Sequence, residues 1–271
     1  MYKLDYHTHA KFSFDSKTTL PELVEAARSK GINDVICTEH CECNLISATP
    51  PGVPERPIFD HEGYWSYAKN VRDTEGYDFG IGLEIGQPTQ NPERAKNILA
   101  SHEWDFIIGS LHNMRNEYDF SQLKYSERNI EQMFKNYLSE LYEIAEMNCF
   151  CVLGHIYYPL RYIKAQGFDL DHTKYESELA DIFKLVISNG KGIEININPK
   201  SYNGSKADRD FHLRYVKMFR DLGGEIITTG SDGHIPDAVG KNIEDATEIL
   251  KEAGFKYVSR FRKMKPTFER I

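Results

Sequence analysis

The feature that most constrains this chain is a rhythm of short β-branched runs, each delivering a polar side chain at or just past its end. The runs are YKLDYH (2–7), NDVICTEH (33–40), DFGIGLEIG (78–86), WDFIIGSLH (104–112), CFCVLGH (149–155), GIEININ (192–198) and GEIITTGSD (224–232). Amphipathic stretches or long loops separate them. Strands alternating with helices predict a parallel sheet of βα units. The length of 271 residues fits a closed (β/α) barrel as one domain over 1–271. In such a barrel every strand points its C-terminal end to one face, where the βα-loops build the functional site.

The intervening segments carry helix signals. In TTLPELVEAARSKG, Thr19 caps, Pro21 suits the first turn, Glu22 completes a capping box and Gly31 ends the helix. Three- and four-residue apolar spacing from Ile130 to Ile144 predicts the longest helix over Ser126 to Met147. KADRDFHLRYVKMFRDLGG reads as another helix closed by glycine. The segment from Cys43 to Phe59, with Pro50, Pro51, Pro54 and Pro57, is expected to be a loop over the barrel mouth. The basic, alternating end FKYVSRFRKMKPTFERI reads as a tail hairpin or edge segment.

Composition narrows the function. A formal charge of −8 argues against a nucleic-acid partner, because phosphate backbones call for a basic face. No apolar run approaches a membrane span, and the first residues do not read as a signal peptide, so a cytoplasmic protein is expected. Five cysteines without CxxC spacing read as reduced thiols near strand ends. Oligomeric state leaves no signal in the sequence.

Six of the ten histidines fall at or just after a strand end: His7, His9, His40, His112, His155 and His234. Glu84, Asp232 and Asp15 sit at matching places, whereas His61, His102, His172 and His212 fall in expected helices or loops. Barrel closure would bring the first and last strands together, so HTH and DGH should meet. Residues two apart on an extended strand point the same way, which makes His7 with His9, and Asp232 with His234, local pincers. One such histidine alone reads as well as a hydrogen-bonded structural residue. Six at equivalent strand ends, with three acids, exceed the roughly four ligands of one tetrahedral ion and fit two to three divalent ions, three by preference. Zn, Mn and Fe all suit this mixture of donors.

The motifs DYHTH, TEH, LGH and GSDGH, in that order, with GLEIG and GSLH between the second and third, resemble the polymerase and histidinol phosphatase (PHP) superfamily. The opening DYHTHAKFSFDS, the length and GHIYYPLRY look like its histidinol-phosphate phosphatase group. The resemblance spans nearly the whole chain. It implies a distorted (β/α)7 barrel with a trinuclear metal centre. Carried onto this sequence, His7, His9 and Asp232 would hold one ion. Glu84 would bridge to a second ion held by His112 and His155, and Asp15, His40 and His234 would hold a third. The chain departs from the family in reading TEH where Asp-His is commoner, with Glu39 not expected as a ligand, and in placing Ile156 where some relatives have a polar residue.

Such a site would stand at about +2 after its three carboxylates and a bridging hydroxide are counted, which matches a phosphate monoester dianion. The expected chemistry is in-line attack of a metal-bridging hydroxide on phosphorus, with Asp232 as proton acceptor. Arg161 is the candidate phosphate clamp and Lys200 a further phosphate contact. Glu117 is the candidate contact to a cationic leaving group, Tyr157 and Tyr158 could wall the pocket, and Glu39, Glu42 and Glu194 could orient the imidazoles. The leading function is hydrolysis of L-histidinol phosphate, a small-molecule phosphate monoester, in histidine biosynthesis. The alternatives are another phosphate ester (a nucleotide, an oligonucleotide end or a phosphotyrosyl peptide), a metal-holding barrel without catalysis, and a carbon–nitrogen amidohydrolase. The last would call for a lysine at a strand end, and none is suitably placed.

Overall fold

The computed structural model describes residues 1–44 and 57–271. All seven expected strands form: β1 (Leu4–Asp5), β2 (Asp34–Glu42), β3 (Gly80–Gly86), β4 (Phe106–Ser110), β5 (Val152–Leu153), β6 (Gly192–Asn196) and β7 (Ile227–Gly230). They pair in chain order and every pairing is parallel. β1 and β7 close the ring through hydrogen bonds rather than a long ladder. Tyr6 N donates to Thr229 O at 3.0 Å, Asp232 N to His7 O at 2.8 Å and His9 N to Gly233 O at 2.9 Å. The HTH and DGH segments therefore meet, as a closed barrel requires. Gly230 is needed there: a Cβ on it would stand 2.4 Å from the His7 Cβ and 2.8 Å from a Glu194 oxygen.

Among the described residues eight α-helices lie between or after the strands: α1 (Leu20–Ser29), α2 (His61–Asp73), α3 (Pro92–Ser101), α4 (Ile130–Met147), α5 (Tyr158–Ala165), α6 (Glu176–Ser188), α7 (Lys206–Asp221) and α8 (Ile243–Glu252). α1 carries the expected capping box, with Glu22 N donating to Thr19 Oγ1 and Thr19 N to Glu22 Oε2. Its Leu20, Leu23, Val24 and Ala27 bury one face. α4 is the longest helix, but it starts four residues later than its apolar spacing suggested. Ser126 N donates to the Asn129 side chain at 2.8 Å, which ties that stretch into a turn ahead of the helix. The five thiols are free, and all but Cys149 are buried. No helix among the described residues is long and apolar enough to cross a membrane. Of the Pro-rich segment expected to cover the mouth, Pro50, Pro51 and Pro54 lie outside the described residues.

The basic C-terminal segment forms the expected hairpin, β8 (Tyr257–Arg262) with β9 (Lys265–Arg270). It packs on the N-terminal ends of the barrel strands, away from the histidines. Asp34, at the start of β2, accepts from Arg260 Nε at 2.8 Å, Arg262 Nη2 at 2.6 Å and Tyr6 Oη at 2.6 Å. Phe261 packs on Phe106 with ring centroids 5.0 Å apart. Asp34→Ala strips two guanidinium groups and a buried hydroxyl of their shared acceptor. It should lower unfolding free energy by about 3 kcal/mol, read from urea melts, and leave metal content unchanged.

Candidate metal centre

Glu84, near the C-terminal end of β3, is fully buried and ringed by imidazoles. Its Oε1 lies 2.7 Å from His155 Nε2 and 2.9 Å from His112 Nε2. Its Oε2 lies 2.8 Å from His40 Nδ1, 3.4 Å from His7 Nε2 and 3.7 Å from His9 Nε2. Each histidine comes from a different strand end, except that His7 and His9 share the segment after β1. Asp232 adds a second carboxylate, 3.5 Å from His9 Nε2 and 3.8 Å from His7 Nε2. Asp15 closes the outer edge, 3.2 Å from His234 Nε2 and 3.6 Å from His40 Nε2. All nine residues singled out as ligands in the sequence therefore converge on one site, and His61, His102, His172 and His212 stay outside it.

The Asp232–His234 pincer is built differently from the extended geometry expected of it. β7 ends at Gly230, and Asp232 takes a left-handed backbone with φ 53°. The kink lets the His234 Nδ1–H donate to the Asp232 carbonyl at 2.9 Å while its Nε2 faces Asp15.

A second ring of groups fixes the imidazoles, as metal ligands require. His7 Nδ1–H donates to Glu194 at 2.9 Å, and His112 Nδ1–H to Glu42 at 2.9 Å. Glu194 also accepts from His155 N at 2.7 Å. Glu39 reaches His9 through Ser13: the Ser13 hydroxyl donates to Glu39 and lies 3.1 Å from His9 Nδ1. Glu39, buried, also accepts from Ala10 N and Ser13 N, so it shapes the turn between His9 and Asp15. Sequence reasoning missed two members of this ring. Ser13 had a signal, lying four residues past His9. Asp5 alternates with His7 and His9, and it accepts from Ser231 N at 2.9 Å and Gly240 N at 2.7 Å to hold the loop that carries Asp232.

The donor set fits divalent cations. His7 Nε2 and His9 Nε2 are buried without hydrogen-bond partners, and both lie within 3.8 Å of Glu84 Oε2 and Asp232 Oδ1. The ligand atoms of His7, His9 and Asp232 fall within 4.8 Å of one another, as do those of His7, Glu84 and His155, of His40, Glu84 and His112, and of His9, His40 and His234. His7, His9, His40 and Glu84 each belong to two groups, as ligands of neighbouring ions would.

Electrostatics divides the imidazoles. Burial pulls His7 and His112 down, but the facing carboxylates outweigh it and hold both well above the ordinary histidine range. In the same balance Glu84 and Asp15 push His40 up to about 10. Burial lowers His9 and His155. Burial disfavours the Glu84 and Asp232 anions too, yet the neighbouring imidazoles hold both carboxyls well below their usual range. Protein stripped by chelator therefore carries protons on three imidazoles at pH 7 that a cation must displace. Adding Zn or Mn in weak buffer should release roughly three protons per chain, read by a pH indicator, and metal affinity should rise with pH. The raised His40 pKa also stabilises the stripped fold fully below about pH 6.5, a contribution lost as pH rises through about 10. Metal uptake without acidification would contradict this charge distribution.

Around the cluster, Arg161 on α5 is nearly buried, with its guanidinium 4.7 Å from the Tyr158 ring centre and 3.6 Å from Asp232. That ion pair is too long for a hydrogen bond and leaves donors free for an anion. Tyr158 packs over His155 and His112, with ring centroids 4.6 and 5.1 Å apart, so it walls the site. Tyr157 turns instead toward Phe211 and Tyr215. Lys200 is exposed on the rim of an adjoining cavity. Glu117 is exposed on the turn after β4 and makes no polar side-chain contact with the cluster.

Known proteins resemble this chain over nearly its whole length. The histidinol-phosphatase of Lactococcus lactis subsp. lactis is 26% identical over 98% of this chain and 96% of its own length. A Clostridium acetobutylicum protein named "Probable histidinol-phosphatase" is 26% identical over 94% of this chain and 95% of its own length. The crystal structure of the L. lactis histidinol phosphate phosphatase, complexed with zinc, L-histidinol and phosphate, shares the fold at a TM-score of 0.79 and 24% identity, covering 98% of both chains. The PHP domain model matches residues 5–198, well over half of the sequence, and the chain belongs to the PHP domain family.

Proposed function

We propose that this chain is a metal-dependent phosphomonoesterase that hydrolyses L-histidinol phosphate to L-histidinol and phosphate, a step in histidine biosynthesis. The observation that carries the reading is the Glu84-centred ring of imidazoles with a buried, underused arginine at its edge. The substrate comes from relatives of nearly equal length that bear the histidinol-phosphatase name. One domain over 1–271 holds the whole site. His7, His9, Asp15, His40, Glu84, His112, His155, Asp232 and His234 would hold two to three divalent ions, three by preference, with Zn, Mn and Fe the candidates.

Bound there, the ions supply Lewis-acid charge and a nucleophile available near neutral pH. The chain's own residues do the rest. Arg161 donates to the non-bridging phosphoryl oxygens, with Tyr158 stacked behind it to fix the guanidinium plane. Asp232, 3.5 Å from His9 and 3.6 Å from Arg161, would accept the proton of the attacking water. Glu194, Glu42 and the Glu39–Ser13 pair keep the ring nitrogens aimed inward. Lys200 could reach the phosphate from the rim.

The test is kcat/KM for L-histidinol phosphate beside p-nitrophenyl phosphate and a nucleotide panel, with Mn- or Zn-loaded protein. A preference for L-histidinol phosphate of about a thousandfold or more is expected. Comparable rates on all esters would leave a phosphoesterase of another substrate.

A further inference from the structure

Lys30 caps the C-terminal end of α1, and its ammonium is taken up by the backbone of a distant turn. Nζ donates to Pro236 O at 3.1 Å, to Asp237 O at 2.7 Å and to Val239 O at 2.6 Å. An ammonium has three protons, so these carbonyls use all of them. The end of α1 is itself fixed: Ile32 N donates to Ala27 O at 3.0 Å and Gly31 takes φ 70°. Lys30 is therefore a clamp anchored on a rigid helix.

The clamped turn follows His234 and bears on two of the expected metal ligands from behind. Val239 is fully buried and packs on Gly233, the residue between Asp232 and His234. A Cβ on Gly233 would stand 2.7 Å from Val239 N and 2.9 Å from Val239 Cα. The near end of the same stretch is held just ahead of α1, where Ser16 Oγ donates to His234 O at 2.8 Å and Thr18 Oγ1 at 3.1 Å. Asp15 immediately precedes those residues, and its carboxylate lies 3.2 Å from His234 Nε2. The segment 15–30 thus carries one ligand at its start and, at its end, the clamp on the loop that carries another. Asp15 and His234 are also the most exposed of the nine, at 41% and 22% of the side chain. Surrounding packing constrains them least, so their spacing depends most on how the two segments are tied together.

We propose that Lys30 is a positioning residue for the outer edge of the metal centre. By tying the 236–239 turn to α1 it sets the spacing of His234 from Asp15, and with it the affinity for the ion that Asp15, His40 and His234 would hold. Lys30 touches none of these ligands and acts through the turn. The assignment rests on the metal-centre reading above and adds a residue outside the ligand set and its hydrogen-bond partners.

The experiment compares wild type with Lys30→Met, Lys30→Arg and Lys3→Met. Lys3 is the control for losing a lysine contact elsewhere, since its Nζ pairs with Glu244 at 3.3 Å. In chelator-stripped protein, hydrogen exchange over 232–241 should quicken about tenfold in Lys30→Met, while β3 and β4 keep the wild-type rate. On loading with Zn or Mn, Lys30→Met should need about tenfold more free metal to take up its last ion, read by equilibrium dialysis, with the tighter binding unchanged. Lys30→Arg keeps a cation with several donors and should recover part of both effects. It also reads the clamp if Lys30→Met fails to fold. Lys3→Met should change neither quantity. Unchanged exchange and unchanged last-ion affinity would overturn the proposal. So would quickened exchange without a change in metal affinity, or equal effects in Lys3→Met, which would leave Lys30 an ordinary stabilising contact. A wild type that takes up no metal would instead sink the metal reading, and loop exchange alone then decides whether Lys30 holds the turn.

Discussion

Glu84→Gln should abolish phosphatase activity by a factor of about a thousand or more and cut metal content below one ion per chain. The reason lies in the count of groups that use this one carboxylate. Two imidazoles press on one oxygen and three on the other, all within 3.7 Å, and Glu84 itself has no exposed surface. An amide keeps the shape but removes the anion and turns one oxygen into a donor facing imidazole nitrogens. The site then loses the carboxylate that would hold its cations, and His7, His40 and His112 lose the charge that holds their protons. The change should therefore also lower the number of protons released on loading. Activity and metal can be measured on the same preparation. A variant that keeps full metal and full rate would remove Glu84 from the centre of the site.

Arg161→Met separates phosphate binding from metal binding. The guanidinium is buried against Tyr158, close to Asp232 yet too far for a hydrogen bond, so its donors remain for an incoming anion. Its loss should reduce kcat/KM by about a hundred- to a thousandfold, and inorganic phosphate should inhibit correspondingly less well. Metal content should stay at the wild-type level, because Arg161 contributes no ligand. Arg161→Lys should recover only part of the loss, since a point charge does not replace a planar fork. Equal damage to metal content and to activity would recast Arg161 as a structural partner of Asp232.

The convergence of the nine side chains was legible because barrel geometry turns a scattered pattern into a local one. His7, His40, His112, His155 and His234 are far apart in sequence, but each follows the same kind of β-branched run, and parallel pairing in chain order sets those ends side by side. What stayed hidden depends on local backbone and on space between elements. The left-handed φ at Asp232 follows from the closure bonds to His7 and His9, which no residue-by-residue reading contains. Ser13 serves His9 only because Glu39, on another strand, curls the intervening turn. The start of α4 moved because the Asn129 side chain competes for backbone that apolar spacing assigned to the helix. Glu117 was judged by its distance along the chain from His112, and the turn after β4 leaves it exposed. The cavity beside Arg161 is assembled by α5, a following turn and α7, so it carries no sequence signature.

Metal dependence is tested by titrating chelator-stripped protein with metal and following hydrolysis of L-histidinol phosphate against ions bound per chain. No turnover is expected in the stripped protein, and the rate should climb with Zn or Mn until the nine-ligand site is filled, at two to three ions. Turnover that survives complete removal of metal, or that saturates with the cluster histidines replaced, would contradict that dependence.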